Sequence, residues 1–485
     1  MVGAEGHACP RRVAVIGGGI AGLSAALTLH ESAMSVTVIE ASDRLGGKIL
    51  TERTDGYTIE AGPDSILSSK PAGLSMIERI GRLDYVVNTR EDGQGTHILH
   101  RGKLERLPEG MAALVPIDVR SVLGTRLLSW RGKLRLGREY LLPAQHGSDD
   151  ESVGDFVRRR LGDEFFENMA EPLLSGIYAG DADQLSLLAT FPRLRIAEQQ
   201  HGGLIRGAIA QRRARQGSAS NETRWTPFIS LERGLGEIVE GLATSLAGTD
   251  IRLGVQAVAV HRSDSGFQIE LSTGERLHAD GIVLAIPAWA TADLLRSVAP
   301  RLARELDAIQ YVSTATISMA FATQVVPSFA SGRGFVIPRG ERRILTAVTW
   351  SSNKFSGRAP TNRCLVRCYA GHASDQECLT MADDDLIERA RRELSDITGI
   401  VADPLFTRLY RWPRALPQYN LGHPGRVARI EDLTAELPRL ALAGAAYRGV
   451  GIPDCIQDGT EQATRLLDRL NALPAPLDRV TMASD

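Results

Sequence analysis

Cysteine is scarce in this chain of 485 residues, with five in all: Cys9, Cys364, Cys368, Cys378 and Cys455. So sparse and odd a set excludes a disulfide framework and predicts a reducing compartment, the cytoplasm. Net charge is nearly absent too. Lysine plus arginine number 56 against 58 acidic residues, so no global field marks a nucleic-acid partner and an anionic ligand must be met by local groups. Long apolar runs are missing. The best, Thr314 to Val326, is interrupted by polar residues, falls short of the ~20 residues of a membrane span, and reads as a buried strand. Met1 to Arg12 holds no apolar stretch of signal-peptide length, which predicts that the mature chain begins here. No GxSxG, HExxH or Walker A pattern occurs, so a hydrolase reading has no support. Cys364, Cys368 and His372 lack a paired CxxC, and on a strand their spacing only puts the cysteines on one face; no metal site is assigned.

What the sequence does contain is glycine, 48 residues of it, in a composition that is 43% hydrophobic and 24% charged. That balance, at this length, predicts a globular α/β and α+β protein of two or three lobes. The opening reads as a βαβ unit: a β-branched strand Arg12 to Ile16, a helix Ile20 to Ser32, and a strand Val36 to Glu40. Gly281 to Ile286 and Leu440 to Gly444 read as further strands of the same sheet, which makes the nucleotide domain discontinuous. The expected partition assigns 1–85, 226–295 and 436–475 to that domain, 86–107 and 296–435 to a mixed-sheet substrate domain, 108–225 to a helical lobe, and 476–485 to a flexible tail. Gln211 to Ser220, with Asn221, reads as a polar basic loop. Arg120 to Arg138 interleaves six cations with Leu and Trp; it is either a helix pair packed on its own lobe or a contact for anionic lipid or a partner protein.

Chemistry is carried first by VAVIGGGIAGLSAA. Gly17 permits the tight turn, Gly19 lets the backbone approach a pyrophosphate, and Gly22 lets helix and sheet pack closely, with Gly18, Ile20 and Ala21 completing the phosphate-facing helix start. Glu40, followed by Ala41, lies 23 residues after Gly17, where a carboxylate accepts from an adenosine ribose. Arg44 is expected to neutralise the pyrophosphate, while Gly46 and Gly47, before Lys48, clear side chains from the path of a long flavin cofactor. This second glycine pair separates FAD from NAD binding. Gly62, Pro63, Asp64 and Ser65 would pass the flavin ring as backbone. Near the end, Gly444 and the turn Tyr447 to Gly451 lead into a helix at Ile452, whose N-terminus would favour negative charge on the reduced flavin. Cys455 in its first turn reads as a small packed residue.

These motifs, with EPLLSGIYAGD (171–181), TWSSNK (349–354), PQYNLGH (417–423) and GVGIPDC (449–455), resemble the protoporphyrinogen and coproporphyrinogen oxidases of haem biosynthesis nearly end to end. EPLLSGIYAGD and TWSSNK look like the Gram-positive-type branch that oxidises coproporphyrinogen III. The resemblance implies a discontinuous Rossmann-like FAD-binding domain of the glutathione-reductase and amine-oxidase type, with non-covalent FAD contacted also by Val258, Trp412 and Val450. It implies a tetrapyrrole substrate and dioxygen as reactants, an oxidoreductase acting on CH–CH type donors, three two-electron steps and hydrogen peroxide as product. It leaves a haem-pathway enzyme or a membrane surface as a partner for 120–138. Lys70 is the expected partner of a substrate propionate, with His97 and Arg448 as further candidates; His97 stands where mitochondrial members carry a substrate-facing arginine. No catalytic acid or base is assigned, because the substrate's own nitrogens and water can carry the protons. A protoporphyrinogen oxidase, an amine or carotenoid oxidase, and a non-catalytic porphyrin-binding flavin fold remain open as alternatives.

Overall fold

The computed structural model describes residues 10–90, 95–108, 111–112, 115–116, 119–147, 149–217, 224–326 and 332–473. The proposed tail 476–485 and Asn221 lie outside these residues. Five short β-branched strands pair in parallel, in the order Asp250–Arg252, Ser35–Ile39, Arg12–Ile16, Gly281–Leu284 and Leu440–Leu442. Both downstream segments read as strands therefore join the N-terminal βαβ unit. Alternate side chains face opposite ways. Val13, Val15, Val36 and Val283 pack against the helices Ile20–Glu31, Gly236–Ser245 and Ile452–Asn471. Ala14, Ile16, Ile282 and Leu284 pack on the other side, against the β-meander 257–279 and the helices Ala288–Leu295 and Pro300–Asp307. Coverage of both faces is why the strand residues 13–16, Gly281–Leu284 and Leu440–Leu442 are apolar.

A second, seven-stranded sheet runs in the order Phe406–Pro417, Tyr311–Ala322, Arg363–Ala370, Leu345–Trp350, Gly334–Val336, Thr96–His100 and Lys103–Arg106. One face, with Ile317, Met319, Val366 and Cys368, is covered by the helix Asp383–Thr398. The other, with Ile98, Val336, Ala347 and Tyr369, meets the helical lobe. One reading of that lobe changes. Gln211 to Gly217 is not loop but the last part of the helix Leu204–Gly217, because it continues an unbroken run of helix formers. The stretch 120–138 packs on its own lobe through Val122, Leu127, Leu128 and Leu136, while Trp130 and Leu134 stand 74% and 71% exposed.

Candidate active site

The crevice is built where the parallel strands end. Gly17 turns the chain at φ +110°, and a side chain there would meet the Ala285 carbonyl at 2.6 Å. At Gly22 a Cβ would stand 1.9 Å from the Gly17 carbonyl, so only glycine lets the helix start against the turn. Gly19 is different: a Cβ there meets nothing within 4 Å. That open space, at the N-terminus of a helix whose free N–H groups point outward, is a cradle for phosphate. Gly46 N donates to Gly18 O at 2.8 Å, which lays the Gly46–Gly47 segment along the same cradle. Glu40 accepts from Gly18 N at 2.6 Å with one carboxylate oxygen and from Ser42 N at 2.8 Å with the other. A carboxylate has lone pairs left for ribose hydroxyls after these bonds.

Arg44 reaches the backbone beside the cradle. Its guanidinium donates to the carbonyls of Gly47 at 2.7 Å, Leu45 at 3.2 Å and Ile49 at 3.3 Å, so it shapes its own loop rather than offering a free cation to pyrophosphate. Burial lowers the Lys48 amine from its ordinary value. Val258 sits exposed beside a β-bulge at Ala257 and Ala259, next to the segment that follows Glu40.

The flavin-side turn is gripped by both lobes. Glu60 is buried and accepts from Thr51 Oγ1 at 2.6 Å and Leu235 N at 2.7 Å. The next carbonyl, Ala61 O, takes three donors from the large sheet: Thr316 Oγ1 at 2.8 Å, Trp412 Nε1 at 2.9 Å and Arg367 Nη2 at 3.3 Å. Gly62 has no room for a side chain, since its Cβ would lie 1.9 Å from the Lys48 carbonyl. Asp64 pairs with Lys354 Nζ at 2.8 Å, and Ser65 Oγ lies 3.1 Å from the same amine. Burial works to raise the Asp64 carboxyl, but Lys354 and Arg367 outweigh it and hold the group well below the usual carboxylate range. Lys354 is the lysine of TWSSNK, which explains that motif: it ties the substrate sheet to the flavin-side turn.

PQYNLGH braces the third wall. Tyr419 Oη donates to Ala445 O at 2.6 Å and accepts from Gly449 N at 2.8 Å, bridging the turn that contains Gly444, Val450 and Gly451. His423 stacks on Tyr419 with ring centres 4.1 Å apart, and its Nε2 meets Tyr447 O at 3.2 Å. Burial pushes the His423 imidazole down to about 4, so the ring is neutral near pH 7. An unfolded-chain histidine titrates near 6.5. As pH falls, the unfolded chain binds the proton first, so the stability that neutral His423 contributes is complete above about pH 6.5 and is lost between there and about pH 4. Urea midpoints for wild type and His423→Gln should therefore converge as pH falls through that window. A constant difference would show that His423 does not titrate with folding.

The helix after this turn, Ile452–Asn471, carries Pro453 in its first turn, and Asp454 caps it by accepting from Gly451 N at 3.2 Å. Gly459 packs so tightly on the first helix that a Cβ would fall 2.1 Å from Ala21 O. Cys455 is buried in the same core, and burial raises its thiol to about 12. A thiol kept protonated is a poor nucleophile. Cys455→Ser should retain activity within a few-fold and keep FAD extractable by acid; an inactive variant with FAD still bound would overturn the packing role.

The three substrate candidates do not converge. Lys70 stands at the rim, 48% exposed along its side chain, but its Nζ is bound to Asp454 at 2.6 Å. Arg448 is committed to Asp458 and Glu431 and so braces the C-terminal turn; it is not a free cation for substrate. His97 shares its strand face with Leu99, which packs in the core under the helix Asp383–Thr398, whereas Ile98 faces the helical lobe. The sequence reading missed Arg367, Thr316, Tyr419 and His423 as parts of this site. Only PQYNLGH flagged any of them.

A two-lobed fold with a phosphate cradle on a parallel sheet, an acidic ribose position and a backbone path clamped from a second sheet is that of a dinucleotide-binding flavoprotein oxidoreductase. The side-chain-free space at Gly19 and the tight backbone at Gly62 fit FAD, which Gly17–Gly22, Glu40, Lys48, the 62–65 turn and the 444–452 turn would hold. The comparisons agree. The family described as flavin containing amine oxidoreductase matches residues 20–467. A coproporphyrinogen III oxidase of Bacillus subtilis (strain 168) is 36% identical, with 93% of this chain and 96% of that protein covered. The chloroplastic protoporphyrinogen oxidase of Oryza sativa subsp. japonica is 30% identical over 94% and 88% of the two chains. A crystal structure from Exiguobacterium sp. 255-15, described as a protoporphyrinogen oxidase, superposes with a TM-score of 0.83 at 32% identity, covering 95% of this chain and 100% of that one. The chain belongs to the flavin containing amine oxidoreductase family, and within it to the protoporphyrinogen and coproporphyrinogen oxidases, as an FAD-dependent enzyme.

Proposed function

We propose that this enzyme converts coproporphyrinogen III to coproporphyrin III, using dioxygen and releasing hydrogen peroxide. The observation that supports this most is the identity of 36% to the Bacillus coproporphyrinogen III oxidase, near full length, against 30% to the plant protoporphyrinogen oxidase. Bound non-covalently, FAD supplies the two-electron acceptor for each of three steps. The substrate loses six electrons and six hydrogens in all, four from the bridging carbons and two from pyrrole nitrogens, three leaving as hydride and three as protons, and three dioxygen molecules take them up as three of hydrogen peroxide. The protein's part is to hold the macrocycle edge against the 62–65 turn and to keep water out. No side chain is needed as a base.

Coproporphyrinogen carries four propionates where protoporphyrinogen carries two, so rim cations should discriminate between them. Lys70 is the rim lysine, and a propionate would share it with Asp454. Since a pair at a wet rim is worth only ~0.2–1 kcal/mol, Lys70→Ala should raise KM for coproporphyrinogen by roughly up to fivefold and raise that for protoporphyrinogen less. The reading as a whole is tested by loading the enzyme anaerobically with each porphyrinogen, admitting air and following porphyrin fluorescence. Faster oxidation of protoporphyrinogen would reassign the substrate, and no oxidation of either with FAD bound would leave only a porphyrin-binding role.

The enzyme is proposed to work in the cytoplasm; no helix among the described residues is long and apolar enough to cross a membrane. The exposed Trp130 and Leu134, flanked by Arg131, Lys133 and Arg138, are its proposed contact for a pathway enzyme or an anionic membrane surface. Co-sedimentation with anionic and neutral vesicles, comparing Trp130→Ser with wild type, tests the second.

A further inference from the structure

The large sheet holds a buried cation that has no ion-pair partner among the described residues. Arg367 is 2% exposed and lies on the strand Arg363–Ala370. Its Nη2 donates to the carbonyls of Ala61 and Gly62. Its Nε and Nη1 have no hydrogen-bond partner, and neither has the hydroxyl of Ser318, buried directly opposite on the neighbouring strand. Residues opposite one another in an antiparallel pair share a face, so the unused groups of Arg367 and Ser318 lie together behind the Ala61–Gly62 backbone. No carboxylate lies within ion-pair distance of Arg367 among the described residues. Two buried carboxylates feel its charge without pairing with it: Asp64 is matched by Lys354, and Glu60 is held by Thr51 and Leu235 N, while the guanidinium itself lies 4.7 Å from the Tyr369 ring centre.

A buried guanidinium keeps its charge, and leaving that charge uncompensated costs several kcal/mol. Ala61 O is already held by the neutral donors Thr316 and Trp412, whereas Gly62 O takes its bond from Arg367. What an unneutralised cation does here is set the potential of whatever stacks on the other side of the Ala61–Gly62 backbone.

We propose that Arg367 is a positioning residue that also acts electrostatically. It fixes the Ala61–Gly62 carbonyls and leaves a net positive charge behind them, which favours the negative charge the flavin gains on reduction. This deepens the proposed function and rests on FAD binding along the 62–65 turn. The charge lies close to the turn and in a poorly screened interior, where a Coulomb interaction is several-fold stronger than in water.

The readout is the two-electron midpoint potential of the bound FAD by spectroelectrochemistry, with FAD retention measured in parallel. In Arg367→Gln the equilibrium constant for reduction should fall about tenfold, equivalent to ~30 mV for a two-electron couple. Ser318→Asp guards against a variant that does not fold, because it leaves the Arg367 clamp in place and cancels its charge with a carboxylate on the same face. It should lower the potential in the same direction. Thr316→Val removes a clamp donor without changing charge and should leave the potential unmoved. A wild-type potential in both Arg367→Gln and Ser318→Asp would overturn the proposal, as would a Thr316→Val shift as large as theirs. Failure of wild type to bind FAD would instead sink the flavin reading on which it stands.

Discussion

Gly19→Val is expected to give a folded chain that carries no FAD. Nothing lies within 4 Å of a Cβ at this position, so adding one displaces no atom of the apoprotein. The space that valine fills is the path by which pyrophosphate would reach the helix N-terminus, and three heavy atoms there would exclude it. Absorbance near the flavin bands should be lost from purified protein while circular dichroism and the urea midpoint of the apo form stay those of wild type. Gly22→Ala makes the contrast. Its Cβ would lie 1.9 Å from the Gly17 carbonyl, so this smaller change should lower the stability of the apoprotein as well. If Gly19→Val kept stoichiometric FAD, the cradle would be somewhere else.

Arg160→Met is expected to unfold the helical lobe at markedly lower urea, with a cost of about 3–5 kcal/mol. Arg160, Glu139 and Glu198 have fully buried side chains. Arg160 Nε donates to Glu139 Oε1 at 3.0 Å and Nη1 to Pro143 O at 3.0 Å, while Glu139 also accepts from Leu204 N at 2.7 Å. Glu198 has further cations in Arg159 at 2.8 Å and Arg195 at 3.2 Å. Among the described residues Glu139 has only Arg160, so truncation leaves that carboxylate buried and uncompensated. Adding Glu139→Met to Arg160→Met should recover much of the loss, because a buried pair is often replaceable by apolar residues of like volume. Equal stability of wild type and Arg160→Met would show that Glu139 takes up a proton when its partner goes. Flavin absorbance per folded molecule should be unchanged in either case, since this network lies in the helical lobe, away from the parallel sheet.

How much of this was legible beforehand differs between the two lobes. The nucleotide-binding half announces itself because its chemistry is local: a turn, a helix start and a strand end lie within 24 residues from Gly17 to Glu40, and each glycine answers a steric demand of its immediate neighbours. The apolar runs at Gly281–Leu284 and Leu440–Leu442 were equally readable, because strands buried on both faces are apolar whatever their partners. The rim and the inter-lobe contacts were not readable in this way. Arg44, Lys70 and Arg448 are all cations at plausible positions in the motif, yet the fold hands each of them acceptors from its own chain: loop carbonyls for Arg44, Asp454 for Lys70, Glu431 and Asp458 for Arg448.

By itself the sequence determined the nucleotide-binding turn, the flavin-length second glycine pair, four of the five strands of the parallel sheet and the family to which the chain belongs. These depend on steric and periodic constraints between residues near one another in the chain. Only the tertiary structure decided which charges are spent and which are left over. Arg367 reaches the carbonyls of Ala61 and Gly62 across 306 and 305 residues of chain, and Lys354 reaches Asp64 across 290. A charge's effect depends on its distance to every other charge and on the water excluded between them, and neither quantity exists until the two sheets have met.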